Sequence, residues 1–403
     1  MKRALLTLLL AGSLCVGKAQ TQPERSPAAS SDPFRNTPFI VSNPERPDSV
    51  RRGFLRRFID YFGNSAVDRS REKKIDITFA GGPSYSKTTE LGIGLLAAGL
   101  YRFDRRDTVT PPSDISIFAN VSTSGFYAFG VTGNTIFPKN RQRLLYNLSF
   151  SSAPRDLWGI GYEAGRHNEP TDYVEQRYRI TARYQHRIFT DTYAGVILHF
   201  DHAKGRKFSE TGLDYIRREH LAYTATGLGA MVEYDSRDFI PNPSRGIYLS
   251  LQEIFFARGL GNCGRALWRT VCIADAYRKV WRGALLAFDL YGEFNSAGTP
   301  WPMLARMGNN ERMRGYYEGR YTDNCLVTCQ VELRQHIRGR IGCVAWLGAG
   351  NVFSEVDRFR WRETLPNYGL GLRWELKKRV NVRMDYGFGR DTSGFLLSIN
   401  EAF

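Results

Sequence analysis

The sequence predicts an all-β protein: a transmembrane antiparallel β-barrel of 16 strands with a short N-terminal amphipathic helix ahead of it. Three observations carry this reading. The chain opens on an export signal, it has no apolar run long enough for a membrane-spanning helix, and polar and apolar residues alternate in segment after segment to the last residue.

The export signal occupies residues 1–19. Lys2 and Arg3 precede the apolar run Ala4 to Val16, and Gly17-Lys18-Ala19 offers small residues at a cleavage site. Bulky Leu14 before Cys15 speaks against lipoprotein processing. Residues 20–50 contain six prolines and many Ser and Asn, the composition of a disordered periplasmic linker. Within 51–74, Phe54, Leu55, Phe58, Ile59 and Phe62 share one helical stripe flanked by Arg51, Arg52, Arg56 and Arg57. This basic amphipathic helix could plug the periplasmic mouth of a barrel, lie on anionic headgroups, or simply cover the rim.

The barrel is assigned to residues 75–403. The longest apolar run, Leu91 to Tyr101, is eleven residues with three glycines, too short and too broken to span a bilayer as a helix. Strand periodicity is clear instead. Val380, Val382, Met384, Tyr386 and Phe388 share one face, with Asn381, Arg383, Asp385, Gly387 and Gly389 on the other. Tyr178, Ile180, Ala182, Tyr184 and Ile188 likewise oppose Arg177, Arg179, Arg183 and Arg187. Asp289, Tyr291 and Glu293 oppose Leu286, Phe288, Leu290 and Phe294, while Gln330, Glu332 and Arg334 oppose Val327, Val331 and Leu333. In a sandwich the polar face would be outer and solvated; charge of both signs recurring on one face of long strands fits a wet lumen.

Candidate strands run near 75–83, 90–103, 113–123, 125–136, 142–152, 156–166, 175–188, 191–201, 222–236, 244–257, 267–280, 284–295, 325–336, 340–353, 367–376, 380–390 and 393–403. Seventeen is odd, and single-chain bacterial barrels hold an even number, so one is surplus. The weakest are the neighbours on either side of Gly125 and the poorly alternating 267–280. Connections 281–283, 338–339 and 377–379 are short, whereas 202–221, 296–324 and 354–366 are long, which sets the short ones in the periplasm. Trp268, Trp281, Trp374, Phe395 and Phe403 at strand ends suit interfacial girdles.

Three local patterns resemble the barrel domain of the BamA/TamA-like bacterial surface-antigen superfamily, which includes outer-membrane assembly factors and two-partner secretion transporters. The first is Tyr234-Asp235-Ser236-Arg237-Asp238 followed by Pro243-Ser244-Arg245-Gly246. The second is Met313-Arg314-Gly315-Tyr316 inside the loop 296–324. The third is Tyr368-Gly369-Leu370-Gly371-Leu372-Arg373, then Arg383-Met384-Asp385-Tyr386-Gly387, ending at Phe403. Leu91-Gly92-Ile93-Gly94 and Trp158-Gly159-Ile160-Gly161 agree more loosely.

The resemblance implies that the long loop folds back into the lumen and that Arg314, Gly315 and Tyr316 form a latch whose arginine meets an acidic inner wall. The face reading independently sets Glu332 inside, which makes it the expected partner. A second acidic residue usual in the family is replaced here by Gly348, so the latch is weaker or Asp289 or Glu293 substitutes. Asp235, Arg237, Asp238, Arg383 and Asp385 are further lumen or strand-end candidates, and Phe395, Leu397, Ile399 and Phe403 form the C-terminal barrel signal. Receptor-type POTRA domains of the family find no room in residues 20–74.

Composition limits other functions. With 25 Phe, 21 Tyr and 7 Trp the chain is no disordered tail. Its net charge of +16 is spread along strands in alternation and forms no nucleic-acid patch. No phosphate loop or G-x-S-x-G elbow occurs, so no enzyme, cofactor or metal site is expected. Cys263 and Cys272 flank a hairpin and could pair, while Cys325 and Cys329 read as small lipid-facing residues. The expected partners are outer-membrane lipid and lipopolysaccharide, together with periplasmic or membrane assembly proteins. The expected setting is the outer membrane of a Gram-negative bacterium. The first functional expectation is assistance to insertion or translocation of proteins there; the alternative is a passive, anion-favouring channel or a structural surface protein.

Overall fold

Alternation along the strands is realised as a wall with two chemically different faces. A computed structural model describes residues 74–86, 88–103, 110, 112–240, 242–377 and 380–403. The expected signal peptide, linker and amphipathic helix lie outside the described residues.

The first half of the wall is β1 (Ile75–Ser86), β2 (Glu90–Tyr101), β3 (Ser113–Ser122), β4 (Tyr127–Ile136), β5 (Gln142–Leu157), β6 (Thr171–Phe189), β7 (Thr192–Arg206) and β8 (Ala222–Asp235). It continues with β9 (Gly246–Gly261), β10 (Leu267–Lys279) and β11 (Ala284–Asn295). After β11 comes the long loop, which holds a two-residue pair, β12 (Ala305–Arg306) and β13 (Thr322–Asp323). The wall resumes with β14 (Cys325–Arg338), β15 (Ile341–Phe353), β16 (Leu365–Lys377), β17 (Val380–Gly389) and β18 (Thr392–Ile399). Apart from β12 and β13 these strands close into a 16-stranded antiparallel barrel in which β18 returns to β1. Closure satisfies the strand edges, which lipid cannot do.

The surplus strand is 156–166. Leu157 ends β5, Gly159 (φ 104°) and Gly161 (φ 100°) turn the chain, and α1 (Tyr162–His167) follows. Both φ values lie in the region that favours glycine, so this stretch cannot stay extended. The neighbours flanking Gly125 and the segment 267–280 are all true strands, β3, β4 and β10. A second short helix, α2 (Glu210–Tyr215), lies in the loop after β7.

The outer face is apolar: Ile77, Phe79, Leu95, Phe129, Leu228, Leu347 and Leu370 are exposed. The buried apolar core lies inside instead. Met307, Met313, Tyr316 and Tyr321 of the long loop pack with Tyr162 of α1 and with Leu326, Val352 and Leu365 of the wall. Trp301 packs nearby with Leu157, Tyr173, Ile216 and Tyr223. The long-loop end of the lumen is therefore filled by a packed plug.

Cys263 and Cys272 do not pair; all five cysteines from Cys263 onward are free. Cys263 packs inward beneath Met303 and Trp301, whereas Cys272 stands opposite lipid-facing Leu251, so the wall separates them. The C-terminus also departs from expectation. The chain leaves the sheet after Ile399 through Asn400 (φ 69°). Phe403 then turns into the lumen, with its ring 6.4 Å from that of Tyr277 and beneath the Arg334 guanidinium. It is no part of the outer girdle, whereas Phe395 and Trp281 are exposed on the outside.

Candidate functional site

The latch is built on two rungs of the barrel wall. In the first, register aligns Glu332 of β14 with Trp346 of β15, Trp346 with Gly369 of β16, and Gly369 with Gly387 of β17. In the second, Arg334, Val344, Gly371 and Asp385 align in the same way. Inner-face alternation thus lays an acid, a flat indole and two glycines in a row across four strands.

The glycines leave space that the loop fills. A Cβ on Gly387 would sit 2.1 Å from the backbone oxygen of Arg314, and one on Gly389 would sit 2.2 Å from the Tyr316 ring. Gly315 (φ 99°) needs its missing side chain twice, for its backbone angle and because a Cβ would meet the Gly387 oxygen at 2.4 Å. The loop tip is pressed against β17 without intervening side chains.

Arg314, only 1% exposed, donates through Nη2 to Glu332 Oε2 at 2.5 Å and through Nη1 to Asp385 Oδ2 at 2.7 Å. Its guanidinium carbon lies 3.7 Å from the centroid of the Trp346 ring. Two carboxylates and a π face meet the needs of a buried cation, since desolvation costs several kcal/mol per ion otherwise. The Trp346 Nε1–H donates to Asn367 Oδ1 at 2.9 Å, and Asn367 Nδ2 donates to the Arg314 carbonyl at 2.6 Å. The Tyr316 hydroxyl donates to the Pro366 carbonyl and accepts from the Arg390 N–H, each at 2.7 Å.

The network continues to the end of the chain. Arg334 donates to Glu332 Oε1 at 2.7 Å and to the backbone oxygen of Phe403 at 2.8 Å. Arg373 donates to Asp385 Oδ1 at 2.5 Å and to Glu401 Oε2 at 2.8 Å. Arg383 donates to the Asn310 carbonyl at 2.8 Å, a second hold on the loop.

The structure therefore brings together Arg314, Gly315, Tyr316, Glu332, Arg383 and Asp385. Neither Asp289 nor Glu293 substitutes for the missing acid. Asp289 takes Arg312, with Nη2 to Oδ1 at 2.6 Å, and Glu293 accepts from the Tyr291 hydroxyl at 2.8 Å. Asp385, two strands beyond Gly348, provides the second carboxylate. Asp235, Arg237 and Asp238 are elsewhere: Arg237 grips Asp235 through Nε and Nη2, both at 2.9 Å, and Asp238 accepts from Ser244 and closes the turn 236–245. Phe395 crosses the β1–β18 seam, its ring 5.8 Å from that of Tyr85, and Leu397 is in register with Tyr85. Trp346, Asn367, Gly387 and Glu401 were not singled out from sequence as site residues. Inner-face parity with Glu332 and Asp385 is the signal that could have found Trp346, Asn367 and Gly387; Glu401 has the parity of an outward residue and reaches the lumen only because the chain leaves the sheet after Ile399.

The sequence model of the Omp85 superfamily domain matches residues 115–403. The chain belongs to the Omp85 superfamily. No curated protein matches it by sequence. Among solved structures, this Omp85 barrel is similar to BamA from Haemophilus ducreyi lacking POTRA domains 1-3, at 12% identity and TM-score 0.55, over 81% of this chain and 70% of that one. It is also similar to CdiB from Acinetobacter baumannii, at 12% identity and TM-score 0.53, over 82% and 60% of the two chains. CdiB from Escherichia coli matches at 12% identity and TM-score 0.55, over 81% and 62%. The chain thus spans less than two thirds of the length of either CdiB structure.

Proposed function

We propose that this Omp85 barrel acts at the outer membrane of a Gram-negative bacterium in the insertion or translocation of proteins. In this reading the β1–β18 seam opens so that a client strand can pair with the exposed edges. Outer-membrane lipid and lipopolysaccharide surround the wall, periplasmic or membrane assembly proteins deliver the client, and the chain is not an enzyme.

The observation that carries the reading is the seam itself. Among the described residues β1 and β18 are joined in register only at Tyr85 with Leu397, whereas β1 and β2 run in register from Ile75–Tyr101 to Ser86–Glu90. β18, at eight residues, is the shortest strand of the wall. Few ladder bonds oppose opening there, so separation costs less than at any fully paired neighbour. The plug of loop and helix packed into the long-loop end speaks against the alternative of a passive channel.

The test is a lock across the seam. In a background with native cysteines changed to Ser, Tyr85→Cys with Leu397→Cys is oxidised and the outer-membrane proteome is compared with that of reduced cells. A broad fall in unrelated barrel or secreted proteins, reversed by reductant, is the expected result. A proteome that does not change on locking, or on deletion of the gene, overturns the reading.

A further inference from the structure

Beside the latch, the lumen holds a cavity of about 640 Å³ lined mainly by polar groups from β5–β7, β9–β11, β14 and the long loop. Seven arginines face it: Arg155, Arg177, Arg179, Arg183, Arg269, Arg306 and Arg312. The acids around it are already engaged. Glu175 is shared by Arg155 at 2.9 Å and Arg306 at 2.7 Å, Asp201 is held by Arg177, and Asp289 by Arg312. Glu318 lies 3.3 Å from Arg155, and Glu293 lies 3.5 Å from Arg269.

Two guanidiniums have no hydrogen-bonded carboxylate among the described residues. Arg179 comes no closer than 3.8 Å to Asp201, and Arg183 forms no ion pair among the described residues. The Nε atoms of both are buried without a hydrogen-bond partner. Between them on the same inner face, Thr181 Oγ1 bonds His199 Nδ1 at 2.9 Å. The His199 side chain is 8% exposed, and its Nε2, also facing this cavity, has no hydrogen-bond partner and lies 4.0 Å from Asp201 Oδ2. Inner-face residues two apart stand about 7 Å apart along a strand, so Arg179 and Arg183 flank the Thr–His pair from above and below.

We propose that this cavity binds a small phosphoryl anion between Arg179, Arg183 and His199. Two guanidinium forks without a hydrogen-bonded carboxylate, Arg179 with Asp201 3.8 Å away and Arg183 with no ion pair among the described residues, supply planar paired donors that match phosphate oxygens, and Thr181 and His199 supply further polar contacts. The volume exceeds that of inorganic phosphate and lies in the range of small-molecule sites, so a phosphorylated sugar also fits. The phosphoryl group is common to both sources.

The experiment is calorimetric titration of the refolded full barrel in detergent with inorganic phosphate, glucose 1-phosphate and glucose, at constant ionic strength set with chloride. The expected result is saturable binding of both phosphates and none of glucose. Tighter binding of glucose 1-phosphate assigns the site to an organic phosphate, and equal binding assigns it to free phosphate. In Arg179→Gln/Arg183→Gln, both affinities should fall at least about tenfold, since a charge-assisted pair is lost at each position. Absence of saturable heat, or the same affinity in the double variant, overturns the proposal. Thermal unfolding of the unaltered protein is a readout that needs no variant: phosphate must raise the midpoint above that in chloride of equal ionic strength, and an unchanged midpoint overturns the site.

Discussion

A single methyl group tests the latch without removing any charge. In Gly387→Ala the added Cβ falls 2.1 Å from the Arg314 backbone oxygen and 2.6 Å from its carbonyl carbon. Ordinary contact begins above 3 Å, and both neighbours are backbone, so the loop tip has to move by about 1 Å or more. That shift stretches the 2.5 and 2.7 Å bonds from Arg314 to Glu332 and Asp385 and lifts the guanidinium off Trp346. Two charge-assisted bonds at about 1.5–3 kcal/mol each and a stacked cation at about 1 kcal/mol set the upper bound. Glu332 and Asp385 keep Arg334 and Arg373, so neither acid is stranded, and a net loss of about 3 kcal/mol is expected. The assay is trypsin cleavage after Arg312 and Arg314 in the folded barrel. Where opening is fast relative to cleavage, the rate follows the open population, so 3 kcal/mol means roughly a hundredfold faster nicking. Gly82→Ala, whose Cβ would meet nothing within 4 Å, is the control. If Gly387→Ala is protected as well as the control, the loop is not held by close approach to β17 and the reasoning fails.

Other perturbations separate the parts of the network. Arg314→Ala should expose the loop to protease at least as strongly as Gly387→Ala, and Arg314→Lys should restore only part of the protection because one ammonium cannot fork to two acids and stack on an indole; equal protection by Lys would make the fork irrelevant. Asp385→Asn, read by thermal unfolding, should cost about 3 kcal/mol by leaving Arg314, Arg373 and Arg383 around a neutral amide, and an unchanged midpoint would mean that Glu332 suffices. Glu293→Gln should leave loop protection intact, because Glu293 makes no contact with Arg314 in this arrangement; loss of protection would restore it as a latch residue. Glu401→Gln should free the tail 400–403, seen as faster carboxypeptidase release of Phe403.

How much of this could be read from the sequence follows from what alternation encodes. Period-2 patterning fixes which face each side chain takes, so the lumen positions of Glu332, Asp289, Arg383 and Asp385 were legible. It does not encode height. Which inner residues stand level depends on strand stagger around the barrel, and so the partner of Arg314 on β17, 71 residues away, could not be told from Asp289 or Glu293. The segment 156–166 failed for a different reason: two glycines at positive φ look the same, residue by residue, as the small inward glycines of true strands such as β16. Phe403 keeps the parity of an outward residue with Phe395, but Asn400 adopts a left-handed backbone that parity cannot anticipate.

The path of the ion pairs gives the latch a mechanical meaning beyond holding a loop. An apolar contact would have anchored the tip more cheaply, because buried ion pairs seldom exceed well-packed hydrophobic replacements in stability. What charges add here is shared occupancy. Glu332 serves Arg314 and Arg334, Asp385 serves Arg314 and Arg373, and those two arginines go on to hold Phe403 and Glu401. The tail so held continues directly from β18, whose pairing with β1 is the thinnest in the wall among the described residues. Withdrawing the loop tip would release one charge on each shared acid, and the remaining arginines would bind those acids more fully at the expense of the tail. Latch and tail therefore support each other: while Arg314 occupies Glu332 and Asp385, Arg334 and Arg373 are left to hold the tail, and the chain of contacts between them runs through four side chains of the wall.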